Sequence, residues 1–383
     1  MAEHSRDNQK GVNTKHSKKR LRSIAITIAV FSCLLFLFIT QYKTVEQRLA
    51  AIDAARAIPD SENAAILYNQ LRKDYNDIDL PFHFVYPSDP ARMRPWFSKE
   101  LPEITKWYEE RQEITARLLQ IDKYEKCWFP IPKSKEDFFT IVDRLSTMRK
   151  MSVYLIRLAN NDIAENRIEQ GLEKYICAIR ISRHNRQQPS NTSFITGISF
   201  ESLALARMRY CILHSELTEE HLQTIKNALT QSNEEQTQNW ENMIEVENLY
   251  AKQTPLLDRL KTWLQNRRNQ RSTLDLAHEI RTRVLADRHG NHILILLRNY
   301  KDKTGHWPQN LEELQPLADE EIFIDPQNNC SFIYKTTEED FILYGRGPNK
   351  IDEGGRFHLD GGDDWLIWPP KDNKTQGITT NKK

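Results

Sequence analysis

Residues 155–178 read LIRLANNDIAENRIEQGLEKYICA, and this stretch shows how the middle of the chain is organised. Apolar side chains recur three and four residues apart before residue 160 and again after residue 164, which is the spacing of one buried helix face. A Ser134-Lys135-Glu136-Asp137 start signal resembles a capping box with Asp in place of Glu. The sequence therefore predicts a helix hairpin, with helices over about 134–159 and 165–187.

This hairpin resembles a tetratricopeptide repeat at six positions: Leu155, Leu158 and Ala159 in the first helix, and Gly171, Tyr175 and Ala178 in the second. In that family the small residues let the two helices approach and the ring fills the remaining space. Asp162 stands where the family prefers an aromatic residue, and no second copy follows about 34 residues later. The alternative, which we favour, is a helix hairpin within an irregular bundle.

Glycine divides the chain into a helical body and a loop-rich end. Between residues 12 and 289 only Gly171 and Gly197 occur, whereas six of the twelve glycines lie within 345–362. Glycine is unfavourable inside helices and useful in tight turns. We therefore expect a mainly α protein with an irregular helical-bundle body over 43–271. Start signals and periodicity place further helices near 64–71, 98–121, 191–214, 218–232 and 272–301.

Residues 23–42 contain no charged side chain, and 24–39 are almost wholly apolar. Twenty helical residues rise about 30 Å, the thickness of a bilayer core. A cleaved signal peptide is the alternative, but its apolar run is shorter and is followed at once by a small-x-small site. The nearest such triplet here, Ala55-Arg56-Ala57, lies well beyond the run. The sequence predicts a single N-terminal transmembrane helix over 23–42, in contact with the lipid bilayer.

Charge predicts the orientation of this helix. Residues 1–22 hold seven basic and two acidic side chains, and basic flanks stay in the cytoplasm. We therefore expect a basic cytoplasmic tail over 1–22, a bacterial inner membrane location, and residues 43–383 on the periplasmic or extracytoplasmic side. The whole chain has 54 Lys and Arg against 53 Asp and Glu, a balance that argues against a nucleic-acid partner.

Four cysteines, Cys127, Cys177, Cys211 and Cys330, follow the predicted anchor. An oxidising compartment permits disulfides, and four cysteines allow three complete pairings, among which the sequence does not choose. Buried free thiols are the interpretation we favour, because a chain of this size builds a core without cross-links. No Cys-x-x-Cys occurs, so zinc or thioredoxin-like chemistry has no support.

The chain after residue 290 carries an ordered series of turn and strand signals. These are Tyr300, Gly305-His306-Trp307-Pro308, a short helix at Leu311–Leu314, Asp325-Pro326, strands at Phe332–Lys335 and Phe341–Tyr344, Gly347-Pro348-Asn349, and Asp363-Asp364-Trp365. Over about 290–370 this order resembles the soluble half of the major pseudopilin of type II secretion. The resemblance implies a long helix plus a small α+β module over 272–370, with a short antiparallel sheet, and we expect a disordered tail over 371–383.

In the pseudopilin family the acidic loop of this module binds calcium. By that resemblance Asp363 and Asp364 match the paired acids, Asp352 matches the acid after the Gly-Pro turn, and Asn349 is a looser match. Calcium takes six to eight oxygen ligands, which carboxylates and loop carbonyls supply. The alternative is a solvated turn in which the aspartates bond backbone amides. The pseudopilin processing site is missing near residues 20–30, so assembly into a fibre is not implied.

Catalytic signatures are sparse. Gly197-Ile198-Ser199-Phe200-Glu201 begins like a nucleophile elbow without its last glycine, and no phosphate-loop or His-Glu-x-x-His motif occurs. His289 and His292 share a helix face and offer two metal ligands without a third, so we expect exposed polar histidines. The basic tract 259–288 is either a solvated helix face, which we favour, or a contact for anionic lipid headgroups or an acidic partner.

The sequence thus favours a non-enzymatic, single-pass membrane-anchored envelope protein that acts as a scaffold or interaction partner for another envelope protein. One alternative is an exported, hydrolase-like enzyme whose site is assembled from the aromatic segments 81–97 and 127–132. A second alternative is an accessory protein of a secretion or pilus-like system.

Overall fold

The computed structural model describes residues 26–33, 35–36, 40, 43–75, 78, 89–132, 135–230, 233–253, 273–337, 340–356 and 361–369. The chain forms two compact units, one of residues 1–55 with 248–267 and one of residues 56–247 with 268–383. The predicted tails, 1–22 and 371–383, lie outside the described residues.

The first unit contains a helix over residues 43–55. Val45, Leu49 and Ile52 are buried on one face of it. Of the predicted transmembrane segment, residues 23–25, 34, 37–39 and 41–42 lie outside the described residues, and the rest are helical. Among the residues that are described, no helix is both long enough and apolar enough to cross a bilayer.

The second unit is mainly helical, as the sequence predicts. Its described helices are α1 (Ala64–Asp74), α2 (Pro90–Met93), α3 (Pro102–Glu109), α4 (Gln112–Leu119), α5 (Lys135–Ala164), α6 (Ile168–Arg186), α7 (Asn191–His214), α8 (Glu219–Leu229), α9 (Asn233–Gln253) and α10 (Thr273–Thr304). The last residues of α9 belong to the first unit. Helices α5, α6, α7 and α10 pack in series and form the body of the core.

The helix hairpin predicted around residues 155–178 is formed by α5 and α6. A Cβ at Gly171 would lie 2.6 Å from Ile163 Cδ1, so the two helices approach closely there. The Tyr175 hydroxyl donates a hydrogen bond of 2.5 Å to Asn160 Oδ1 across the same interface. Helix α5 runs five residues beyond the predicted end and stops before Asn166, which takes a left-handed φ of 59°.

The sequence predicts one continuous helix over 98–121. This prediction is wrong, because the chain forms two separate helices there, α3 and α4. The Arg111 guanidinium lies 4.1 Å from the Trp107 ring centroid and donates to the Trp107 carbonyl at 3.0 Å. In a continuous helix that carbonyl would accept from the Arg111 amide, which instead donates to the Tyr108 carbonyl at 2.9 Å. The side chain of Arg111 therefore replaces a backbone bond and separates the helices.

Two small antiparallel sheets follow α10, which confirms the predicted C-terminal sheet. Strand β1 (Ile324–Asp325) pairs with β2 (Cys330–Ser331), while β4 (Phe341–Gly345) lies between β3 (Ile333–Thr336) and β5 (Trp365–Trp368). Ile333 is paired with Tyr344, and a bulge interrupts the β4–β5 register at Leu343 and Tyr344. A Cβ at Gly290 of α10 would lie 2.6 Å from Ile367 Cγ2, so the larger sheet packs directly on that helix.

All five cysteines are free. Cys127, Cys177 and Cys211 are buried, and Cys330 is half-buried. The alternative of disulfide pairing is therefore not realised, and the buried thiols act as small apolar side chains in the core.

Candidate metal centre

The loop between β4 and β5 carries the acidic residues that the sequence singled out. Within it, residues 357–360 lie outside the described part. Gly347 has a φ of 65°, and a Cβ there would lie 2.2 Å from the Asp363 carbonyl oxygen. Only glycine allows this close crossing of the two ends of the loop, which brings residues near 350 against residues 363 and 364.

Three carboxylates gather where the loop crosses itself. Glu353, Asp363 and Asp364 each place one oxygen within 4.8 Å of the others. In the described ranges this is the one grouping of three or more Asp, Glu, His or Cys side chains close enough to share a metal ion. We call these three residues the acidic cluster.

Two oxygens of the acidic cluster lack hydrogen-bond donors in the part of the chain that is described. Asp364 is fully buried, and its Oδ2 accepts from the Glu353 and Gly355 amides at 2.9 and 2.7 Å, whereas its Oδ1 has no partner. Asp363 Oδ2 accepts from the Asn349 amide at 3.1 Å, and its Oδ1 also has no partner. Buried carboxylate oxygens are almost always satisfied, so this pair needs a partner such as a cation or an ordered water.

The electrostatics of the acidic cluster agree with that need. Burial raises the pKa of Asp364, and neighbouring Glu353 raises it further. Burial and Glu353 also raise the pKa of Asp363. Hydrogen bonds, first that from the Asp363 amide, lower the pKa of Glu353 and keep it ionised. A bound cation would relieve the repulsion and favour all three carboxylates in their charged form.

The structure separates the four residues predicted as calcium ligands. Asp363 and Asp364 belong to the acidic cluster. Asp352 lies outside it: its Oδ1 accepts from the Tyr344 hydroxyl at 2.6 Å, and its Oδ2 is 3.4 Å from Lys335 Nζ. The bond from Tyr344 lowers the pKa of Asp352.

Asn349 supports the acidic cluster rather than offering it an oxygen. Its Nδ2 donates to Glu353 Oε1 at 2.7 Å, and its Oδ1 accepts from the Ile351 amide at 2.6 Å. Sequence reasoning missed Glu353, which follows Asp352 directly. The adjacent acids Asp352 and Glu353 were visible in the sequence, but which of the two faces Asp363 and Asp364 depends on the path of the loop.

The donor set of the acidic cluster consists of oxygens only. Hard cations such as calcium and magnesium prefer such ligands, while zinc prefers nitrogen and sulfur. Calcium also tolerates irregular geometry, which suits three carboxylates held by a glycine-rich loop. The residues present therefore fit a calcium ion, with Glu353, Asp363 and Asp364 as its protein ligands.

Two other sequence interpretations change in the structure. His289 and His292 are half-buried rather than exposed; His289 Nδ1 lies 3.0 Å from the Ile324 carbonyl oxygen, and burial lowers the pKa of His292 to about 4. Of the basic tract, 259–272 lies outside the described residues. Its end is not a solvated face, because Arg288 is buried and bonds Glu201 Oε1 at 2.6 Å.

Comparisons with protein-family models, curated proteins and solved structures return no match for this chain. The resemblances to a tetratricopeptide repeat and to the pseudopilin module therefore stay predictions.

Proposed function

We propose that this chain is a single-pass protein of a bacterial inner membrane, whose exported part binds a protein partner in the envelope and is stabilised by calcium. The uncharged segment 23–42 and the basic residues before it support the anchor and its orientation. The observation that carries the calcium part of the proposal is the acidic cluster, in which two buried carboxylate oxygens have no donor among the described residues.

A binding role fits the way the module is joined to the helical body. Arg209 on α7 forms a buried ion pair with Asp287 on α10 and donates to the Ile367 carbonyl of β5 at 3.1 Å. Trp365 Nε1 donates to Asp287 Oδ1 at 2.9 Å. These buried contacts hold sheet and helices in one arrangement, and preformed surfaces lose less entropy on binding a partner.

Calcium would complete this arrangement at the loop. Glu353 lies on the side of the loop that follows β4, whereas Asp363 and Asp364 lie on the side that leads into β5. An ion bound by all three joins both sides of the β4–β5 loop next to the sheet. Any ligand bound by the folded state alone raises stability, so calcium is expected to fix the loop that closes the module.

The calcium proposal is tested on the full-length protein in detergent micelles. The melting temperature is measured in millimolar calcium and in chelator, and calcium should raise it by several degrees. Asp364→Asn and Glu353→Gln should each remove that shift. Asp352→Asn is the matched control, because Asp352 bonds Tyr344 and Lys335 instead, and it should keep the shift. Equal melting temperatures with and without calcium would contradict the site.

The membrane proposal is tested on vesicles that carry the full chain. The protein should stay in the membrane after an alkaline carbonate wash, and protease added to the cytoplasmic face should leave residues 43–383 intact. Release by carbonate, or digestion of the bulk of the chain from that face, would overturn the anchor and its orientation.

The partner proposal is tested by cross-linking in intact membranes. The wild-type chain should form a discrete cross-linked species with one envelope protein, and the chelator should weaken it if the acidic cluster orders the binding surface. A chain that is recovered without any cross-linked partner would contradict an interaction role.

Two alternatives rest on narrower observations. The order of α10, the 3-10 helix Leu311–Leu317 and the sheet supports an accessory role in a secretion system, which a lack of association with isolated pseudopilins would exclude.

The hydrolase alternative is assigned to the aromatic segments 81–97 and 127–132, of which residues 81–88 lie outside the described part. At 127–132, burial raises the pKa of the Cys127 thiol, and the nearby cavity is lined mainly by cationic and amide side chains, which favours binding over hydrolysis.

A further inference from the structure

A cavity of about 580 Å³ opens in the second unit, far along the sequence from the acidic cluster. Its walls come from α6, the end of α8, the first half of α9, and the loop 125–128, and we call it the 125–128 cavity. Cavities of this size hold small organic molecules.

The 125–128 cavity carries an excess of positive charge. Its lining includes four cationic side chains: Arg56, Lys126, Arg180 and Arg183. Two carboxylates pair with Arg180: Glu125 in the lining, 82% exposed and 3.5 Å from Arg180 Nη2, and Asp122 outside the lining, 3.3 Å from Arg180 Nε. A concave site lined by one sign of charge concentrates ligands of the other sign, so the 125–128 cavity favours an anion.

Amide side chains add hydrogen-bond donors to the positive charge. Asn227 Oδ1 accepts from Gln223 Nε2 at 2.7 Å, and Asn242 Oδ1 accepts from Gln238 Nε2 at 3.0 Å. Each asparagine also carries an NH₂ group with two N–H donors. Donors of this kind bind phosphate and carboxylate oxygens.

The walls are held in place without a ligand. Gln187, the residue after the end of α6, accepts from the Cys127 amide at 2.8 Å and donates to the Glu125 carbonyl at 2.9 Å, which fixes the loop. Arg183 donates to the Ala228 and Thr230 carbonyls at the end of α8. Arg56 Nη2 donates to the Gln187 carbonyl at 2.9 Å. A site whose groups are already ordered binds with a smaller entropy cost.

We propose that the 125–128 cavity binds a small organic anion that carries at least two phosphate or carboxylate groups. The volume exceeds that of a single inorganic oxyanion, and the excess of cationic side chains over carboxylates matches a multiply charged ligand. Guanidinium groups bind both phosphate and carboxylate. The Trp128 ring in the wall gives the organic part an apolar surface. This site does not depend on calcium or on the envelope partner.

Isothermal titration of the full-length protein in detergent micelles tests the proposal with three probes: pyrophosphate, citrate and sucrose. Pyrophosphate or citrate should bind at one site per chain, and neutral sucrose should not. Lys126→Gln should weaken the anion by about tenfold, the loss of roughly one charged contact, and Lys126→Arg should restore most of the affinity. The Lys126 side chain is exposed, so its replacement leaves the fold intact.

Lys123→Gln is the matched control, because Lys123 is exposed, carries the same charge and is absent from the lining. It should bind like the wild type. If only pyrophosphate binds, the ligand carries phosphate groups, and if only citrate binds, it carries carboxylate groups. If both bind, the cavity recognises the anionic oxygens that the two groups share. The proposal is overturned if neither anion binds, if sucrose binds equally well, or if Lys123→Gln weakens binding as much as Lys126→Gln.

Discussion

Glu201 on α7 is a single buried residue that links three helices of the core. It is 1% exposed and lies between Arg186 on α6 and Arg288 on α10, at 2.9 and 2.6 Å. Burial by itself raises the pKa of Glu201, but the two guanidinium groups outweigh burial and hold the pKa at about 2. The carboxylate therefore stays charged and holds three helices together.

Glu201→Gln should destabilise the second unit strongly. The substitution leaves two buried guanidinium groups without their counter-charge, and breaking a buried ion pair costs about 3–5 kcal/mol. Urea unfolding monitored by circular dichroism measures the change. The control is Asp143→Asn, which breaks the exposed pair of Asp143 with Arg72 at 2.8 Å and should cost less than about 1 kcal/mol. Equal losses in the two variants would contradict the assigned role of Glu201.

A second prediction for a single residue concerns how stability depends on pH, and it rests on His184. It is buried, its Nδ1 lies 2.9 Å from the Tyr68 hydroxyl, and its Nε2 lies 2.9 Å from the Tyr124 carbonyl oxygen. Burial lowers the pKa of His184 to about 3. The unfolded chain takes up this proton near pH 6.5, so the unfolded state binds more protons than the native state between about pH 6.5 and 3, and stability falls as the pH falls.

The unfolding free energy, measured from pH 7.5 to 5, should therefore decrease below about pH 6.5 with a slope of up to about 1.4 kcal/mol per pH unit for each such histidine. His184→Gln should flatten that slope, whereas His306→Gln, at an exposed position, should leave it unchanged. An unaltered slope in the His184 variant would show that the native state already binds the proton.

At the scale of the elements, α6 and α7 lie close together at Gly197. A Cβ at Gly197 would lie 2.6 Å from the Ser182 carbonyl oxygen, whereas at Gly171 it would meet the flexible end of Ile163. Backbone cannot move aside as a side-chain terminus can, so the two glycines differ in what they tolerate.

Gly197→Ala should lower the unfolding free energy by about 1–3 kcal/mol, the usual effect of overpacking a core, despite the higher helix propensity of alanine. Gly171→Ala should cost less, because Ile163 can change rotamer. Thermal unfolding of both variants makes the comparison. A Gly197 variant as stable as the wild type would mean that α6 and α7 separate without loss.

The elements were the part of the fold that local sequence predicted well. Helix α7 occupies the predicted range 191–214, and β3 and β4 match the predicted hairpin within one residue. Periodicity and capping act over a few residues, so one sequence suffices to detect them. The break at Arg111 was missed because it depends on a side chain stacking on Trp107, which no periodicity records.

At the scale of the whole molecule, the C-terminal module and residues 56–247 of the helical body belong to the same compact unit. Arg209 connects them by its bonds to Asp287 and to the Ile367 carbonyl. Arg209→Met should reduce amide hydrogen-exchange protection of β4 and β5 more than that of α7, because the sheet loses its bond to the body. If protection falls only in α7, Arg209 does not connect the sheet to the helices.

The sequence by itself determined the helical body, the hairpin of α5 and α6, the small antiparallel sheet and an acidic loop in which Asp363 and Asp364 are prominent. Only the tertiary structure decided that Glu353 rather than Asp352 joins them, that His289 and His292 are half-buried, and that Arg288 of the basic tract pairs with Glu201, 87 residues earlier. The reason is one of range: the hydrogen bonds within a helix and the periodicity of its side chains act between neighbours in the chain, whereas the burial and pairing of a charge depend on distant residues that meet when the helices pack.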